Sequence, residues 1–97
     1  MQIGKAMEPD LAGSRIISQL TKAELALVHM VAIEGMRNAQ IAEVFGVTES
    51  TVKNKLRRVF IVVGMDSRLL VATFVHRNPD LEAAAADAYR EAFGDRE

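Results

Sequence analysis

The chain has 97 residues, 49 % of them hydrophobic, and a formal net charge of −1. That length suits one small domain with a single core. The absence of cysteine excludes disulfides, cysteine-ligated metals and thiol catalysis. No apolar run is long enough to span a bilayer, and Met1 to Arg15 lacks the apolar stretch of a signal peptide. A cytoplasmic protein with no membrane association is expected.

The net charge hides a partition. Residues 1–47 sum to −1, residues 48–77 to +4 and residues 78–97 to −4. Attraction to phosphate follows the local field rather than the total, so the middle segment is the candidate for an anionic partner.

Residues 1–17 include Gly4, Pro9 and Gly13 without periodicity, and read as a flexible N-terminal arm that gains order near Ile16-Ile17. A first helix is expected from Thr21 to about Ile33. Thr21 and Glu24 have capping-box spacing, and Gly35 follows the end. Its run of Leu25, Ala26, Leu27, Val28, Met30, Val31, Ala32 and Ile33 leaves little polar face, which predicts burial on more than one side. A short second helix, capped by Asn38, runs from Ala39 to Phe45 and stops at Gly46.

The third helix follows Thr48 and reaches about Val63, with Gly64 as its stop. Val52, Leu56, Val59 and Val63 recur on one face; Ser50, Lys53, Asn54, Arg57 and Arg58 fall on the other. A short helix, a tight turn and a helix with an exposed Lys, Asn and Arg face suit entry into a DNA major groove. A fourth helix starts at Ser67 and runs from Arg68 to about Arg77, with apolar residues on two faces. Asn78 as cap and Pro79 at the first helical position open a fifth, ending at Gly94. Leu81, Ala85, Ala88 and Ala92 give it one apolar stripe, so it should dock. The fold class expected is all-α.

No catalytic, metal or cofactor site is expected. His29 and His76 lie on separate predicted helices without metal-ligand spacing, and phosphate-binding glycine loops and nucleophile motifs are absent.

From Leu20 to about Phe74 the chain resembles the LuxR-type (GerE-type) helix-turn-helix domain of bacterial transcription factors. The residues that carry this are Leu20-Thr21, Glu24, Gly35, Asn38, Ile41-Ala42, Val47-Thr48, Thr51-Val52-Lys53, Leu56, Val59-Phe60, Gly64 and Ser67-Arg68. The resemblance implies a four-helix domain over residues 18–77, here with an additional acidic helix and tail over 78–97. It implies a DNA-binding transcriptional regulator with its third helix in the groove of double-stranded DNA and a homodimer through the fourth. Lys53, Asn54 and Arg57 would contact base edges, since Arg and Lys match guanine O6/N7 and Asn matches adenine N6/N7. Thr48, Ser50, Thr51, Lys55, Arg58 and Asn38 would contact phosphates.

The chain departs from that pattern in Ile61, Val62 and Val63, which stand where the family usually has a basic pair followed by Leu. Together with Leu69, Leu70, Thr73 and Phe74, Ile61 and Val62 form the expected dimer or partner surface. Cover of Leu25, Ile33, Ile61 and Val62 by the fifth helix and Ile16-Ile17 is the expected use of the apolar surplus, with a homodimer or a protein partner as the alternative. A protein-interaction module on the same fold is the second functional reading. A sigma-factor-like promoter-recognition domain, which shares the helix-turn-helix logic, is the third.

Overall fold

The structure, a computed structural model, describes the backbone of residues 9–94 and the side chains of residues 13–94. All regular elements among the described residues are helices: α1 Pro9–Gln19, α2 Lys22–Ala32, α3 Asn38–Phe45, α4 Glu49–Val63, α5 Arg68–His76 and α6 Pro79–Phe93. The five expected helices are α2 to α6. The addition is α1, which corrects the reading of residues 1–17 as an arm from Pro9 onward; residues 1–8 lie outside the described residues. The helix persists because Ile16, and Leu20 just beyond its end, one turn apart, bury themselves in the common core. That spacing was too short to stand out as periodicity.

The capping box of α2 is present: the Thr21 hydroxyl accepts from the Glu24 N–H at 3.0 Å, and the Glu24 carboxylate accepts from the Thr21 N–H at 2.9 Å. Every residue from Glu24 to Ala32 is buried. Ala26, Leu27, Val28 and Met30 are at most 1 % exposed and face different directions around the axis. One neighbour cannot enclose such a helix. Here α4, α5 and α6 all pack against it, α6 most extensively, while α1 packs on α6 and α4. Leu25 is thus buried and Ile33 half-buried.

Two expected caps differ. The α3 N-cap is Arg37, whose N–H donates to the Gln40 side chain at 2.9 Å, and Asn38 is already helical. Asn78 makes no side-chain cap to α6. Its Nδ2 donates instead to the Phe74 carbonyl at 2.7 Å, closing the end of α5. Asn78 is 3 % exposed, and a Cβ built on Gly13 would lie 3.4 Å from its Oδ1. A methyl group at position 13 would thus meet Asn78 at ordinary van der Waals distance, with α1 seated on the α5–α6 junction.

An aromatic series ties α6 to the domain. His29 stacks on Tyr89 at 4.5 Å, Tyr89 meets Phe93 at 5.3 Å, and Phe93 meets Phe45 of α3 edge-on at 5.5 Å. His29 is buried, with Nε2 2.9 Å from a Glu34 carboxylate oxygen, which makes it a core residue. At the surface Lys22 reaches Glu91 at 2.7 Å.

Leu81 of α6 is fully buried. Leu81→Ala should therefore cost about 2–5 kcal/mol of stability, the range for buried large-to-small changes. Urea unfolding measures it; a loss below about 0.5 kcal/mol, the scale of a surface substitution, would show that α6 is not integral to the core.

Candidate nucleic-acid interface

The turn between α3 and α4 is built by local chemistry. Gly46 ends α3 with φ +72°, a left-handed conformation that side chains with a Cβ adopt only with strain. Its N–H and that of Val47 donate back to the Ala42 carbonyl at 2.8 and 3.0 Å. Thr48 then caps α4, its hydroxyl accepting from the Thr51 N–H at 3.2 Å. Only Gly46, Val47 and Thr48 separate the helices. The arrangement is a helix-turn-helix with α4 in the second position.

Val52, Leu56, Val59 and Val63 of α4 are buried. At about 100° per residue, Ser50, Asn54, Arg57 and Ile61 form the stripe directly opposite, with Lys53 and Lys55 on its two flanks. Ser50, Lys53, Asn54, Lys55 and Arg57 are all exposed. Among the described residues, Lys53, Lys55 and Arg57 have no ion-pair partner. Their field is therefore available to an anion in solution.

Other candidates on the phosphate set are engaged within the fold. The Thr48 and Thr51 hydroxyls lie 3.1 Å apart in a mutual hydrogen bond. Arg58 was expected to face phosphate, but its Nε donates to Glu24 at 2.6 Å and a terminal nitrogen donates to the Gln19 carbonyl at 3.2 Å. This guanidinium clamps α4 to the start of α2. The pairing spans 34 residues, so no local spacing in the sequence could mark it. The Asn38 carboxamide oxygen accepts from Arg68 at 2.9 Å, and Arg68 also donates to the Met36 carbonyl. Arg68 thus holds the start of α5 against the corner that precedes α3, and Asn38 is part of that brace. The structure brings Asn38, Lys53, Arg57 and Arg68 around one shallow hollow beside the exposed stripe of α4.

Of the expected partner surface, Ile61 is 73 % exposed, Leu69 75 % and Leu70 50 %. Val62 and Phe74 are half-buried against the core, and the exposed Thr73 directs its hydroxyl to the Leu69 carbonyl. The acidic α6 has no extensive contact with α4; it packs on α1, α2 and α5.

Burial by itself pushes the Glu24 carboxyl up, but the Thr21 N–H and the Arg58 guanidinium together outweigh it and hold the group below its ordinary value of 4.5. A carboxyl depressed in the folded state stabilises fully above the unfolded value and loses that contribution as pH falls through the folded one. Stability should therefore decline below pH 4.5 with a contribution from Glu24, and Glu24→Gln should flatten that part of the acid limb. Arg58→Ala should cost about 1–2 kcal/mol at neutral pH, because it strands a buried carboxylate. Equal stability of the Arg58→Ala protein across the pH range would show that the clamp contributes nothing.

Residues 14–60 match the protein-family model described as Sigma-70, region 4. The matched segment runs from within α1 through the helix-turn-helix to Phe60. No curated protein matches the chain, and no solved structure matches it. The matched family is the sigma-70 region 4 type rather than the LuxR type; the helix-turn-helix is common to both. The chain carries a helix-turn-helix domain of the DNA-binding kind.

Proposed function

We propose that this protein binds double-stranded DNA sequence-specifically in transcription, with α4 in the major groove. The observation that carries the reading is the exposed face of α4, where Lys53, Asn54 and Arg57 lie together without internal ion-pair partners among the described residues. Lys53, Asn54 and Arg57 would read base edges. Ser50, Lys55 and the N-terminal turn of α4 would contact phosphate. Arg58 and Asn38 have mainly structural roles in this assignment. The family match favours a promoter-recognition form of this activity over the stand-alone LuxR-type regulator expected from the motif residues. A cytoplasmic location follows from the same reading.

The exposed Ile61, Leu69 and Leu70 support an additional association, with a second copy as the first candidate and a different protein as the second. Large apolar side chains clustered in water mark interaction surfaces more often than chance exposure.

The reading predicts two classes of variant. Arg57→Ala should cost about 1–3 kcal/mol on a preferred site and relax preference at one base pair. Lys55→Ala should weaken all sequences alike and reduce the salt dependence of binding by roughly one phosphate contact. Selection of bound sequences from a random pool, followed by fluorescence anisotropy over a salt series, measures both. Undiminished binding by a Lys53→Ala/Arg57→Ala protein that keeps its helical circular dichroism would sink the assignment of α4 as reading helix.

A further inference from the structure

We propose that two copies of this chain associate through the outer face of α4 into a form that cannot bind DNA. The proposal rests on α4 being the reading helix. Ile61, 73 % exposed, continues the stripe of Ser50, Asn54 and Arg57 toward the C-terminal end of α4. It lines one open hollow with Phe60, Met65 and Leu70, and Arg57 and Asp66 both border that hollow. Arg57 lies one helical turn before Ile61, roughly 6 Å along the axis, and Asp66 follows just past Gly64, where α4 ends. Among the described residues neither Arg57 nor Asp66 has an ion-pair partner.

An apolar centre with a cation on the helix before it and an anion just past the helix end can complement itself under two-fold rotation. A two-fold axis through Ile61 packs isoleucine on isoleucine and sets each Arg57 against the Asp66 of the second copy. The α4 helices then lie about 8–10 Å apart. Successive major-groove sites on one face of DNA are about 34–36 Å apart, so this pair cannot serve two half-sites. It also covers Asn54 and Arg57 directly. The corner is small beside the roughly 800 Å² per partner of a stable interface, so the association is weak and rises with protein concentration.

Sedimentation velocity without DNA tests the contact. Arg57→Asp and Asp66→Arg should each weaken self-association at least about tenfold, equivalent to about 1.4 kcal/mol. The Arg57→Asp/Asp66→Arg protein should recover it to within about threefold, which a merely structural effect of either charge would not produce. Anisotropy with a mixed-sequence 30-base-pair duplex at low salt tests the exclusion. At protein concentrations where the unaltered chain self-associates, added DNA should dissociate the pair, and Asp66→Arg should bind more tightly than the unaltered chain. A purely monomeric chain, a failed charge-swap rescue, or a pair that binds DNA as well as the monomer overturns the proposal. Failure of monomeric Asp66→Arg to bind any duplex instead overturns the DNA-reading assignment beneath it.

Discussion

The enclosure of α2 governs this structure. A helix buried at every position from Glu24 to Ala32 has no surface to offer solvent, so its neighbours must surround it. Burying a large aliphatic side chain contributes about 1.5–3 kcal/mol relative to leaving it in water. That gain is available only when α4, α5 and α6 occupy different sides of α2. The acidic C-terminal helix is therefore a wall of the core. Its aromatic contacts with His29 and Phe45 place it beside α2 and the far end of α3, away from the outer stripe of α4.

The same constraint separates charge. With α6 committed to α2, the acidic side chains of residues 78–97 and the basic side chains of α4 belong to elements without extensive mutual contact. A chain of net charge −1 thereby presents a local cationic stripe. Two further arginines hold the frame. Arg58 anchors α4 to the α2 cap, and Arg68 anchors α5 to the corner before α3. The Arg58 clamp fixes the attitude of α4 within the domain, as the proposed reading role requires.

Ile61, Leu69 and Leu70 remain outside this economy. The core is already closed by α1 and α6, so nothing within the described chain covers them. Ile61 and Leu70 share a hollow with Arg57, so association at this corner would involve the exposed stripe of α4.

Local signals determined much of this protein. The Thr21–Glu24 capping box, the left-handed Gly46, the Thr48 cap and the valine–leucine repeat of α4 act over a few residues, and each was legible in order along the chain. They placed five helices, the turn and the exposed Lys53, Asn54 and Arg57. The tertiary structure alone decided what happens between distant segments. It made α1 a helix through the burial of Ile16 and Leu20. It took Arg58 from solvent to Glu24, and Asn38 from helix cap to partner of Arg68. It buried Leu25 while leaving Ile61 in water. The physical reason is range: caps, turns and helical periodicity are satisfied within one or two turns of chain, whereas the partner of a long charged or apolar side chain depends on which helices the core brings together.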